Sequence, residues 1–212
     1  MLIKLVLAVL FLSISACAVD RSHARSMLIT RDGVVATSHV QASVAGAQIL
    51  ARGGSAMDAA IAANAVLGVT EPMMNGIGGD LFAIYWEAKT GKLYGLNSSG
   101  WAPQGLTLEH LKAKGATTMP EAGVDAVTVP GAVAGWSALH GRFGKLPLNE
   151  ILQPAIYYAN QGYPVPELIH GFWEGVLDNS TDAESRRVYL PHGKAPAVGQ
   201  VFRTRTLQKR CA

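Results

Sequence analysis

Gly53-Gly54-Ser55-Ala56-Met57-Asp58-Ala59-Ala60-Ile61-Ala62-Ala63-Asn64-Ala65-Val66-Leu67-Gly68-Val69-Thr70-Glu71-Pro72 decides the fold, together with Asn75-Gly76-Ile77-Gly78-Gly79-Asp80-Leu81-Phe82-Ala83-Ile84-Tyr85-Trp86 just after it. Ser55 with Asp58 three residues on has the form of a capping box, which opens a helix. From Ala56 to Val69 nearly every side chain is small or apolar. A helix of that composition, roughly 21 Å long at about 1.5 Å per residue, is buried on most sides. Glu71-Pro72 stops it, Met73 to Asp80 form a glycine-rich connection, and Leu81 to Trp86 is the strongest strand signal in the chain.

Outward from this core, Gly33 to Thr37 reads as a short strand, and Ser38 as the N-cap of a helix through Val40, Val44, Ala47 and Leu50. Gly53-Gly54 ends that helix, because glycine tolerates the left-handed conformation there. In the other direction Lys89-Thr90-Gly91-Lys92 reads as a hairpin turn, with Leu93 to Asn97 returning as the partner strand. Helical patterns follow at Thr107 to Lys114, Gly131 to Phe143, Leu148 to Asn160 and Pro166 to Asp178, with a short turn near Ala183 to Val188. A few strands with helices on both sides imply a layered α/β (α+β) arrangement. No repeat or low-complexity linker interrupts it.

The chain is 49% hydrophobic and only 16% charged, which excludes a disordered tail. Its formal net charge is +3, and the basic residues are scattered, whereas a nucleic-acid surface concentrates them on one face. Residues 1–18 read as an export signal: Lys4 supplies the positive end, and Leu5 to Ile14 give an apolar run of about ten residues. A bilayer-spanning helix needs roughly 20 such residues. Two cleavage readings stay open. Ala16-Cys17-Ala18 fits ordinary cleavage after Ala18, and Ile14-Ser15-Ala16-Cys17 resembles a lipobox that would make Cys17 a lipidated N-terminus. The expected location is therefore periplasmic or extracellular, with membrane contact only through that possible anchor. Residues 19–30 read as a joint. The second of the two cysteines, Cys211, lies at the far end, so the body between them has no thiol for metal, disulfide or nucleophilic work.

Read residue by residue, no catalytic constellation stands out. Gly76 to Asp80 sits between a helix and a strand, whereas phosphate loops run strand, glycines, helix. The six histidines lack metal spacing, and His39, beside the cap, reads as structural. Ser98 and Ser99 lie outside any G-x-S-x-G elbow. Asp58 and Asp80 are single carboxylates for which capping and turn roles suffice. The reading calls for no metal and no cofactor.

The stretches Gly53 to Pro72 and Asn75 to Phe82, with Val129-Pro130-Gly131-Ala132-Val133-Ala134-Gly135-Trp136, Gly144-Lys145-Leu146-Pro147 and Pro154-Ala155-Ile156, resemble γ-glutamyltranspeptidases, in order, from about residue 31 to 203. The resemblance implies the N-terminal portion of a four-layer αββα N-terminal-nucleophile hydrolase fold, left incomplete. It implies a precursor that cuts itself into a large and a small subunit. The new N-terminal Thr of the small subunit attacks a γ-glutamyl amide such as glutathione, and water or an amine then takes the acyl group. That Thr has no counterpart here, so the resemblance assigns no catalytic residue to this chain. It implies a missing small subunit as partner and an inactive, aggregation-prone polypeptide.

Two departures from the family pattern matter. At the substrate site the family carries an Arg in an Arg-Glu-x-Ala-Pro setting, which pairs with the donor's α-carboxylate. Here the stretch is Ser98-Ser99-Gly100-Trp101-Ala102-Pro103, and Ser99 stands at the Arg position. Loss of a charge-assisted contact worth roughly 1.5–3 kcal/mol weakens such a donor about ten- to a hundredfold. This keeps a related glutaryl- or cephalosporin-type acylase in play. At the other end, residues 204–212 read as a frameshifted tail: a one-base shift near codon 204 restores the family-like Asn-Pro-Asp-Leu-Ala-Glu-Thr-Leu-Arg. A third reading, a small exported lipoprotein binding module, rests on Cys17 alone.

Overall fold

The computed structural model describes residues 27–177 and 182–204. The export segment with Cys17 and Ala18, and the tail beyond Thr204, lie outside the described residues. Residues 27–31 have no regular secondary structure and belong to a unit of their own; the folded unit begins at Asp32.

Two helices form its centre: α1 over Val40–Ala51 and α2 over Ala56–Thr70. The capping box is present. Asp58 N–H donates to Ser55 Oγ at 3.1 Å, and Ser55 N–H donates back to Asp58 Oδ2 at 2.8 Å. Gly53, between the helices, has φ +87°, a conformation that costs other residues a clash at Cβ. Ile61, Ala62 and Val66 are almost fully buried, and so are Asp58 and Thr70. The Thr70 hydroxyl is buried without penalty because it donates to Val66 O at 3.0 Å.

The start of α1 differs from expectation. His39 is the N-cap, its Nδ1 accepting from Gln41 N–H, while Ser38 reaches across to donate to Glu71 Oε2 at 2.9 Å. Residues 33–37, expected as a short strand, have no regular secondary structure. Thr37 N–H is taken by Ser43 Oγ, at 3.1 Å.

Strands β1 (Leu81–Glu87) and β2 (Lys92–Ser98) form an antiparallel hairpin, closed through Gly91 at φ +65°. Short α3 (Leu108–Ala113) is capped by Thr107. α4 (Ala132–Phe143) packs on α2, where Trp136 Nε1 donates to Asn64 Oδ1 at 2.9 Å. The helix expected over Leu148 to Asn160 is broken at Leu152 into α5 (Leu148–Ile151) and α6 (Gln153–Gln161). Pro154 lacks the N–H that would continue the ladder onto Glu150 O.

The two-residue strand β3 (Tyr163–Pro164) pairs with β4 (Val201–Phe202), a link between distant segments that periodicity could not show. Between them run α7 (Glu167–Leu177) and α8 (Ala183–Tyr189). Trp173 of α7 is fully buried, edge-on to Phe202 at 4.7 Å, and its Nε1 donates to Tyr189 O at 2.9 Å. No helix among the described residues is long and apolar enough to cross a membrane.

Candidate functional site

Ser99 lies where three segments meet: the end of the glycine-rich connection, the exit from β2, and the approach to α4. Ser98 Oγ donates to Gly131 O at 2.8 Å, and Val129 N–H donates to Trp101 O at 2.9 Å. Gly79 O accepts from both Gly131 and Ala132 N–H, each at 3.0 Å. The approach is so close that a Cβ on Gly100 would overlap the Val129 carbonyl, and one on Gly131 the Ser98 carbonyl. These contacts give the glycines in Ser99-Gly100 and Pro130-Gly131 a physical cause.

Asp80 ties the three segments together. Its Oδ1 accepts from Thr128 Oγ1 at 2.8 Å and Gly100 N–H at 3.3 Å, and its Oδ2 accepts a long bond from Ser99 Oγ at 3.4 Å. Ser99 N–H donates to Asn97 Oδ1 at 2.9 Å, which fixes the turn leaving β2. Asp80 and Ser99 are both exposed. Among the described residues no cation bonds to either. Further along the chain, His110 and Lys114 both engage Asp125, at 3.0 and 2.6 Å. The Lys114 ammonium, with His110 beside it, holds the Asp125 carboxyl below the usual range.

Resemblance alone gives Ser99 its place at the family's Arg position, and local sequence gives Asp80 only a turn role. Three donors from segments 19, 20 and 48 residues away converge on it. No local spacing announces such a meeting. Asp58 likewise does more than cap. Its Oδ2 also accepts from Lys145 N–H at 2.9 Å and Leu146 N–H at 3.1 Å, clasping the α4–α5 connection to α2. Burial works to raise its pKa, but the N–H groups of Ser55, Lys145 and Leu146 outweigh burial and hold it below the ordinary carboxylate range. His39, 2% exposed, is kept below the usual histidine range by burial. With Nδ1 accepting, its neutral tautomer carries the proton on Nε2, which is buried without a hydrogen-bond partner.

Other clefts differ in character: one is lined by Ser38, Glu71 and Phe172, another by Arg52, Tyr157 and Tyr158. An open cleft of about 320 Å³ between residues 34–37 and α2 is lined by groups such as Val35, Leu50, Ala63 and Leu67, with no titratable side chain. Among the described residues no three His, Cys, Asp or Glu side chains converge as metal ligands.

The profile of one family, Gamma-glutamyltranspeptidase, matches residues 42–210. The chain belongs to the γ-glutamyltranspeptidase family. It is 37% identical over 182 residues to the glutathione hydrolase-like YwrD proenzyme of Bacillus subtilis, covering 84% of this chain and 34% of that protein. It is 40% identical over 173 residues to the acylase ACY 1 proenzyme of a Pseudomonas strain, covering 76% and 31%. Among solved structures, Helicobacter pylori γ-glutamyltranspeptidase superposes with a TM-score of 0.81 at 28% identity, over 87% of this chain and 54% of that one. Cephalosporin acylase from Bacillus halodurans superposes at 0.77 with 41% identity, over 91% and 38%. The chain thus spans about a third of the length of the curated relatives it matches, and its fold is the corresponding part of the γ-glutamyltranspeptidase and acylase architecture.

Proposed function

We propose that residues 31–203 are the N-terminal part of an exported enzyme that hydrolyses or transfers the acyl group of γ-glutamyl amides such as glutathione. In this reading the helical pair is scaffold and the Asp80–Ser99–Thr128 knot is one wall of the acyl-donor site. The attacking Thr and its surroundings come from a small subunit cut from the same precursor. The observation that carries the reading is the ordered family match, from the Ser55–Pro72 helix to the Val129–Trp136 stretch, on a fold that superposes on both γ-glutamyl and acylase enzymes.

Ser99 keeps the acylase branch as a second reading, since no guanidinium stands at this position to pair with the α-carboxylate of a γ-glutamyl donor. Export rests on residues 1–18, with Cys17 as lipid attachment or Ala18 as the last residue removed. An N-terminal mass spectrum of the secreted product separates those two.

The central test uses two polypeptides and one chromogenic substrate. Residues 1–212 alone should release no p-nitroaniline from γ-glutamyl-p-nitroanilide. A precursor in which they are continued by the rest of the large subunit and by the small subunit should cut itself in two and then release it. Turnover by residues 1–212 alone at the rate of whole enzymes overturns the proposal.

A further inference from the structure

The N-cap of α1, the C-cap of α2 and strand β3 meet at a polar spot that the acyl-donor reading does not use. His39, Glu71 and Tyr163 come from these three places and are 2%, 5% and 1% exposed. The His39 and Tyr163 rings stand edge-on, with centroids 6.2 Å apart. Glu71 joins them. Its Oε2 accepts from Ser38 Oγ, one residue from His39, at 2.9 Å, and its charge acts on Tyr163. Each of the three side chains has a buried polar atom without a protein partner among the described residues: His39 Nε2, Glu71 Oε1 and Tyr163 Oη. Buried polar atoms in native proteins nearly always find a partner, in the protein or in ordered water. Three such atoms from three elements in one region point to a common ligand.

The donors and acceptors identify that ligand. His39 Nδ1 accepts from Gln41 N–H, so the neutral ring carries its proton on Nε2, which must donate. Glu71 Oε1 is an acceptor. Burial, reinforced by the Tyr189 and Glu71 charges, pushes the Tyr163 phenol above its usual range, so it keeps its proton. A metal ion cannot take an N–H, and a Lys or Arg side chain has no acceptor to offer His39. A small neutral group that both donates and accepts meets all three atoms. Solvent reaches the same carboxylate residue through a cleft of about 300 Å³ lined by Ser38, Glu71, Asn75 and Phe172.

We propose that His39, Glu71 and Tyr163 bind one internal water molecule, which accepts from His39 Nε2–H, donates to Glu71 Oε1 and bonds the Tyr163 hydroxyl. Buried waters typically make about three such bonds. This one pins the end of α2 to α1 and β3. At that end the Glu71 carbonyl accepts from Met74 and Asn75 N–H, at 2.9 and 3.0 Å, and starts the glycine-rich connection to Asp80. The water site stands whichever acyl donor the intact enzyme takes.

Two measurements on the whole 212-residue chain test this. A high-resolution crystal structure should show one oxygen within about 2.7–3.2 Å of His39 Nε2, Glu71 Oε1 and Tyr163 Oη. In solution, oxygen-17 magnetic relaxation dispersion reports waters held far longer than those of the surface. Tyr163→Phe keeps the ring and removes one bond, and should shorten the residence time of one such water by about three- to tenfold. His39→Asn keeps a good N-cap while removing Nε2–H, and should act in the same direction. Either variant suffices if the other fails to fold. Dispersion unchanged from the parent in a folded variant overturns the proposal. So does a crystal structure in which the three side chains bond one another directly, or in which a cation occupies the place of the water.

Discussion

The α1–α2 pair and the β1–β2 hairpin are neighbours in sequence but differ in how completely they are covered. In α2, Ile61, Ala62 and Val66 are 2% exposed or less; the buried Thr70 hydroxyl donates to Val66 O and Asp58 Oδ2 accepts from three N–H groups, while Asp58 Oδ1 is buried without a partner. The hairpin alternates strictly. One face, with Tyr85 and Tyr94, packs on Phe143 of α4, where Tyr85 and Phe143 are 4.3 Å apart. The opposite face carries Phe82, Ile84, Trp86 and Leu93, each at least 58% exposed. Large apolar side chains in contiguous exposed positions are uncommon on soluble monomers. Helix α2 is therefore a finished core, and the hairpin is a half-covered sheet that leaves the polar knot of Asp80, Ser99 and Thr128 at its edge.

The sharpest test of that contrast makes one substitution in both regions. Ile61→Ala empties a fully packed position and should lower stability by about 2–5 kcal/mol. Ile84→Ala, at 82% exposure, should change it by no more than about 0.5 kcal/mol. Urea midpoints of the two variants check this directly, and equal losses would erase the distinction between the regions. Next in size is Asp58→Ala, which leaves the N–H groups of Ser55, Lys145 and Leu146 without their acceptor and should cost about 2–3 kcal/mol. The folded pKa of Asp58 lies below its unfolded value, so its contribution is fully present above about pH 4. On acidification the unfolded chain takes up the proton first, and the contribution fades as pH falls through the folded pKa. Asp58→Asn should flatten this acid slope; an unchanged slope would place the acid sensitivity elsewhere.

In the hairpin region the matching experiment is Gly100→Ala. Its Cβ overlaps the Val129 carbonyl, so segment 99–101 must move off segment 128–131. The expected cost is about 1–3 kcal/mol, with the backbone shift confined to the knot. Amide chemical shifts that move at Gly79, Gly131 and Ala132, but not in α1 or α2, would support this confinement.

How much could be read beforehand follows the same division. The helical pair was legible because its information is local. Ser55 and Asp58 are three residues apart, the small-residue run gives its own burial, and Gly53 marks the turn. The hairpin was legible for a similar reason, since alternation and the turn at Gly91 lie within one short window. Where partners are remote the sequence was mute. Asp80 looks like a turn residue until Thr128 arrives from 48 positions away, and Tyr163–Phe202 pairing joins segments with no shared pattern. His39 took the capping role from Ser38 because Ser38 had a distant acceptor, Glu71. Position 99 was located through resemblance to a family; its chemistry emerged only with its neighbours.

The smallest expected effect on stability, and the most informative about the open face, comes from Ile84→Lys with Trp86→Lys. Both side chains point away from α4, in register with Gly95 and Leu93 on β2. Two lysines there replace exposed apolar surface with charge, so the urea midpoint should hardly move, by about 0.5 kcal/mol or less. Self-association should fall, because charge on an edge hairpin opposes pairing with another chain. Sedimentation velocity at several concentrations separates the outcomes. A double variant that stays folded and becomes less associated places the stickiness of the chain on this face. A variant that unfolds shows instead that Ile84 and Trp86 hold the hairpin itself, and the contrast between a finished helical core and a half-covered sheet fails.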